Sequence, residues 1–549
     1  MGISISIKIS RAVTQKEWEK VYEEALTLVE KLPLAEATNA RIKGIETFCL
    51  VPTTERTVTD SMWIKSRTGW YVEGDYETLQ RAECDYTPRD LVEEKEYNPK
   101  AGDAIISAIK NCMDCEWSSK LDDNSYRLWG NKTQGYSYHQ YLLAIACLIE
   151  DRLGEKAFVL GDITSGQCEA AVEIANKLLD IKIEAPARCD KQRFFDRVDK
   201  LELSEFEKLQ TFDYFCLSDK DDEYGRFVRE HYSKENVSEY WKERFISFNV
   251  TQRGFDDCLV DYLEMGFEFT ELCDFVRFED EEGKTFYEDF IVRIMDAKLH
   301  LQEKDCSDPL KTKKRNPHAY GVGTLFAQFL LWDARNKKIN RYIPLEDIRT
   351  ALIKALGEKC DVNGIIDNYL VKEESEKRID INKENLSDEE WKEAINQDSS
   401  EVFKQVIKNK YESTKKKEDQ YDIPNYEYAR FYEPGDTMPP NMKKALASSR
   451  QFLDSLLTDD EYCEMSKKSA KAQKEWVSEN NQFLIVRDKD WEHIYGMIEK
   501  DSGSFGRFYS IMRTDMSNRD LNYMGVALLI NDDFWNYTGE LAAGLENDD

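Results

Sequence analysis

Ile3, Ile5, Ile7 and Ile9 alternate with Ser4, Ser6, Lys8 and Ser10, the period of a strand with one buried face. Thr14-Gln15-Lys16-Glu17 follows as a capping box, and Trp18, Val21, Tyr22, Ala25, Leu28, Val29 and Leu32 then recur at helical spacing up to Pro33. Ile42 to Val51 and Met62 to Val72 are rich in β-branched and aromatic residues and are broken by Gly44, Pro52, Gly69 and Gly74, which predicts short antiparallel strands. Residues 1–100 therefore read as a small α+β domain, closed by a charged, turn-prone connection between Pro88 and Gly102.

From residue 103 the period becomes helical. Tyr138, Tyr141, Leu142, Ile145, Ile149 and Leu153 form one stripe, and Ala171, Ile174, Ala175, Leu178 and Leu179 another, with a short strand over Lys156 to Ile163 between them. Further helices are predicted at Phe206–Phe215, Tyr224–Phe245, Phe255–Met265, Phe286–Leu301 and Leu325–Ala334. The pattern divides into a helical segment 103–303, a helical continuation 320–370, a charged connector 371–423 and a C-terminal helical segment 424–549 with Trp476, Phe483, Trp491, Ile494, Tyr495 and Ile498 for its core. The connector carries 15 acidic and 11 basic residues, a near balance that suits a solvated segment more than a binding tail. The expected fold is mainly α and multi-domain, with a small N-terminal α+β domain. No fixed repeat period supports a solenoid; the echo of Gly225-Arg226-Phe227 in Gly506-Arg507-Phe508 is a tripeptide only.

Charge changes the picture most. The 549 residues hold 107 acidic and 76 basic side chains, a net of -31, which repels phosphate backbones and makes nucleic acid an unfavoured partner. Solubility accounts for that surplus at least cost, and a partner with a basic surface is the sharper reading. The 13 cysteines are odd in number and scattered, many within apolar helical patterns such as those around Cys147 and Cys258, as free thiols of a reducing cytoplasm would be. Gly2 and Ser6 fit a myristoylation pattern, but the strict alternation of the isoleucines favours the strand. There is neither a signal-peptide pattern nor an apolar run long enough to span a bilayer, so a cytoplasmic protein without membrane contact is expected.

Candidate chemistry is sparse, and no cofactor is implied. Gly161 to Gln167 joins a strand to a helix, a place where Asp162 could serve as base or ligand, where Thr164, Ser165 and Gly166 could hold an anion, and where Tyr138 or His139 of the preceding helix could assist. The competing explanation is local: Thr164 and Gln167 spell a capping box. Cys112-Met113-Asp114-Cys115 is the single C-x-x-C. It lacks the second pair of donors that a tetrahedral zinc needs, and two helical core thiols explain Cys112 and Cys115 as well. Asp219 to Glu230 approaches a calcium loop but has Tyr224 where the sharp turn needs glycine, so an acidic helix start is preferred. The clusters Lys311, Lys313, Lys314, Arg315 and Lys415, Lys416, Lys417 read as solvated linkers. None of the five histidines is paired at metal-binding spacing. Together these features predict a non-catalytic, inhibitor-like interaction module. An enzyme with a site at 161–167 is the first alternative, and a nucleic-acid mimic or a bacterial defence or toxin-neutralising component the second.

Overall fold

The computed structural model describes residues 3–60, 65–91, 96–280, 282–302, 339, 341–375, 387–397, 404, 408, 426–436 and 438–545. The basic clusters at 311–315 and 415–417, the helix expected at 325–334 and most of the connector 371–423 lie outside the described residues. Helices dominate what is described, and the strands are confined to the first third of the chain. The chain falls into two compact units that take alternate turns along it. Unit one comprises Met1–Val21, Val92–Gly130 and Leu142–Tyr411, and unit two Tyr22–Leu91, Asn131–Tyr141 and Glu412–Asp549. No described helix is long and apolar enough to cross a membrane.

Unit one opens with β1 (Ile5–Ser10), whose Ile5, Ile7 and Ile9 are buried as the alternation requires. This strand does not pair with the strands that come next in sequence, between residues 34 and 88. It forms the centre of an antiparallel three-stranded sheet, between β7 (Ser125–Trp129) and β8 (Ala157–Gly161), with Ile7 opposite Val159 and Ile5 opposite Gly161. The run read as Lys156 to Ile163 is thus the partner of the N-terminal strand, a pairing across about 150 residues that periodicity cannot report. Around this sheet the helices pack an aromatic core, in which Phe212 stacks on Phe194, Tyr224 and Phe227, and Trp241 meets Tyr262 edge to face. The helix expected over Tyr224–Phe245 is two helices, Asp222–His231 and Lys234–Ile246. Tyr232 and Ser233 are extended between them, which lets Tyr232 as well as Tyr240, Trp241 and Phe245 turn inward. Asp221 caps the first of the two by accepting the Tyr224 N–H at 2.9 Å, the acidic helix start expected there.

Unit two holds a five-stranded antiparallel sheet. Strand β2 (Leu34–Ile42) pairs along its length with β3 (Ile45–Pro52), and β5 (Lys65–Asp75) lies against β2, β4 (Arg56–Asp60) and β6 (Arg81–Pro88). Lys43 and Gly44 both adopt positive φ, so a two-residue turn of the type that matches strand twist joins Ile42 to Ile45. The sheet is extended by main chain: the Leu50 N–H donates to the Val486 carbonyl at 2.9 Å. Helices Ala470–Asn480, Asp488–Lys500, Phe505–Met512 and Arg519–Ile530 close the core over Trp491, Ile494, Tyr495 and Ile498. Phe483, expected in that core, is 44% exposed, because it follows the helix end in a loop where helical spacing no longer sets direction.

Candidate functional site

The strand-to-helix turn at 161–167 is built by local rules. Gly161 has φ near +122°, and any side chain there would meet the Ser4 carbonyl oxygen at 2.4 Å, so only glycine lets β8 end this close to β1. Asp162 is spent on the same junction. Its carboxylate accepts the Ser4 N–H at 2.9 Å and the Ser4 hydroxyl at 3.2 Å, while its own N–H donates to the Ser4 carbonyl. The box closes as read: Thr164 Oγ1 accepts the Gln167 N–H at 3.2 Å and Gln167 Oε1 accepts the Thr164 N–H at 2.9 Å. Ser165 and Gly166 occupy the first turn of the Ser165–Leu178 helix.

Tyr138 and His139 fall in unit two, whereas Asp162 falls in unit one. Both are buried. His139 Nδ1 lies 2.7 Å from the Thr133 hydroxyl, and the Tyr138 hydroxyl has no hydrogen-bond partner among the described residues. Burial, reinforced by the carboxylates of Asp85 and Glu73, pushes the Tyr138 phenol well above its ordinary value, so it stays a neutral hydroxyl. Beside them lies a polar knot that motif reading does not detect. Asp75, itself buried, accepts the N–H groups of Glu77 at 2.8 Å and Thr78 at 3.0 Å on one oxygen and the Ser137 hydroxyl at 2.5 Å on the other. Ser137 also lies 3.0 Å from the Thr78 hydroxyl. Leu79 and Gln134 carry positive φ within these two segments, backbone that costs a non-glycine residue roughly 1 kcal/mol or more. With three donors on its carboxylate, Asp75 pins segment 131–141 onto the β5–β6 turn; the chemistry this supports is anchoring.

Cys112 is exposed at the end of the Ile105–Cys112 helix and Cys115 is half-buried beyond it, which corrects the expectation of two helical core thiols. The helix stops at Met113, whose N–H still donates to Ile109 but whose backbone is extended. Among the described residues, no group of three His, Cys, Asp or Glu side chains could hold a metal ion.

The strongest electrostatic features were not legible as motifs, because their members come from distant segments. In unit one Arg197 donates to Asp103 at 2.7 and 2.9 Å, to Glu150 at 3.3 Å and to the carbonyls of Glu155 and Ala157. Glu150 also accepts the Val159 N–H at 2.7 Å. Burial raises the Glu150 carboxyl against the opposing pull of Arg197 and its backbone donors. Asp213 is a second hub, accepting from Tyr240, Tyr224 and Lys220 with Arg244 3.8 Å away. Burial pushes it up, but Lys220 and Arg244 outweigh that and hold it below the usual carboxylate value.

Among the described residues two clefts open to solvent bear on binding. One, of about 340 Å³, lies in unit one and sets the exposed side chains of Ile246 and Phe248 beside Arg277, Glu279, Asp280 and Glu282. The other, of about 320 Å³, lies in unit two and is lined by Phe483, Met512, Arg513, Asp515 and Met516, among others. Comparison of the chain with protein-family models, with curated proteins and with solved structures found no match.

Proposed function

We propose that the protein acts by contact with a partner whose surface is basic. One observation carries this reading: the charge surplus lies outside the core. Among the described residues the buried carboxylates are Glu36, Asp75, Asp85, Glu150, Asp213 and Asp256, against the buried cations Arg188, Arg197, Arg430, Lys474 and Arg507. Six against five leave a net of only -1 on the buried side chains, so the acidic surplus of the described residues lies on those that are not buried. A field of that sign accelerates encounter with cations and repels nucleic acid. The cleft in unit one supplies the best-matched landing place, since Ile246 and Phe248 offer apolar contact and Glu279 and Glu282 stand exposed at its rim. Apolar anchors bounded by charge are how interfaces gain both affinity and orientation.

The test is capture of partners by the full chain at low and at high ionic strength, with cross-links mapped by mass spectrometry. Partners of high isoelectric point, cross-linked around 246–282 and released by salt, are the expected result. The double variant Glu279→Lys, Glu282→Lys should lose them and keep its melting temperature. Binding indifferent to salt and to that variant overturns the reading.

A further inference from the structure

The cleft of unit one has two walls of unlike chemistry, each fixed by its own bonds. The apolar wall is the bend between the Lys234–Ile246 and Arg253–Glu264 helices. Within it the Asn249 N–H donates to Gln252 Oε1 at 2.7 Å, and Asn249 Oδ1 accepts the Thr251 N–H at 3.0 Å. Phe248 rests on Gly254 so closely that a Cβ there would meet its ring at 2.3 Å. The ring is thus seated on bare backbone, yet the side chain stays 37% exposed at the cleft beside Ile246.

The acidic wall is a tight hairpin. The Phe286 N–H donates to the Phe278 carbonyl at 2.9 Å, Glu279 and Thr285 form an antiparallel bridge, and Asp280 Oδ1 accepts the N–H groups of Glu282 at 3.0 Å and Lys284 at 2.9 Å. Phe278 anchors the hairpin by stacking on Tyr287 and meeting Phe290 edge to face. Glu279 and Glu282 are exposed, and neither is in an ion pair among the described residues. Of the nearby cations, Lys284 sits 4.9 Å from the centre of the Phe286 ring, and Arg277 donates Nε to the Glu279 carbonyl at 3.1 Å.

Elsewhere the chain answers the same two groups, a ring and a carboxylate, with an arginine of its own. Arg244 lies 4.9 Å over the Trp241 ring and donates to Asp261 at 2.8 Å; Arg56 lies 4.6 Å over Tyr71 and 2.7 Å from Glu36. A guanidinium suits both, because its flat face is attracted to the ring while its edge donates paired hydrogen bonds to the carboxylate. An ammonium is a compact, strongly hydrated point charge and gains less from the ring.

We infer that the cleft is a docking site for an arginine of the partner that stands next to a bulky apolar side chain. The guanidinium lies on Phe248 and bonds to Glu279 or Glu282, and its apolar neighbour covers Ile246. This rests on the basic partner proposed above and narrows it from net charge to one kind of side chain. Charge complementarity selects a cation, and the exposed ring selects the planar one. At about 340 Å³ the cleft is at the small end of ligand pockets, a size for single side chains.

The probe is a rhodamine-labelled peptide, Gly-Ser-Leu-Arg-Ser-Gly, with lysine and citrulline versions, titrated with the full chain by fluorescence anisotropy at low ionic strength. The arginine peptide is expected to bind about tenfold more tightly than the citrulline peptide and about threefold more tightly than the lysine peptide. Phe248→Leu keeps the apolar bulk without the ring and should erase the preference over lysine, as should Gly254→Ala by displacing the ring. Glu279→Gln with Glu282→Gln should erase the preference over citrulline. Equal binding of the three peptides, binding of none, or an arginine preference unmoved by Phe248→Leu overturns the inference. The titration needs no cellular partner, so that result alongside salt-sensitive capture removes the arginine site alone and leaves the basic partner standing.

Discussion

Both units bury arginine, but they answer its charge differently. In unit one Arg197 faces Asp103 and Glu150, whose side chains are 9% and 5% exposed, so cation and anions are all withdrawn from water. In unit two the equally buried Arg507 spends Nε and one Nη on the carbonyls of Leu528 and Leu529, and its carboxylate partner, Asp532, is 44% exposed. Arg430 follows the second pattern, donating to the carbonyls of Glu427 and Thr78. The guanidiniums respond accordingly. Burial lowers both Arg430 and Arg507, whereas for Arg197 the bonds and charges of its carboxylates outweigh burial and raise it. Arg188, in unit one but bonded to carbonyls, is lowered as well, so the kind of partner and not the unit decides the outcome.

That contrast predicts unequal losses. Arg197→Met removes the cation bonded to two carboxylates withdrawn from solvent and should cost roughly 3–5 kcal/mol, whereas Arg507→Met leaves carbonyls unmet and a solvated aspartate and should cost about 1–3 kcal/mol. Urea unfolding of the two variants measures the gap; equal losses would erase the distinction. A smaller effect of opposite sign is expected at Tyr138, whose buried hydroxyl lacks a partner among the described residues. Tyr138→Phe should be neutral or stabilising by up to about 1 kcal/mol in the same assay, and a clear loss would mean that the hydroxyl does bonding work.

The smallest effect belongs to an exposed pair. Lys156 bonds Glu17 at 2.6 Å and, with the Thr14 N–H, lowers its carboxyl from 4.5 to about 2. A carboxyl lowered in the folded state stabilises above its unfolded value and loses that contribution as the pH falls from about 4.5 through about 2. Because the pair is solvated, a few tenths of a kcal/mol is the scale. Melting curves of the wild type and Lys156→Met should differ near neutrality and converge over that acidic range; a difference constant with pH would assign the effect to packing of the lysine stem.

Local structure was legible where one segment carries its whole cause. The isoleucine alternation, the boxes at Thr14 and Thr164 and the acidic start at Asp221 all appear as the residues imply. The break at Tyr232–Ser233 was not legible, because the stripe continues across it and a core decides that Tyr232 must turn in. At 161–167 the polar residues could be read from the chain, but the acceptor role of Asp162 depends on Ser4, which the sheet brings alongside.

Sequence alone determined the mainly helical character, the presence of short N-terminal strands and the excess of negative charge, since these follow from spacing and composition. Tertiary structure decided which strands share a sheet, that segment 131–141 is pinned by Asp75, and that Arg197 and Asp213 each gather their neighbours from other stretches of the chain. The physical reason is common to all of them. Periodicity records which face of an element turns from water, and nothing in it states which other face will meet it there.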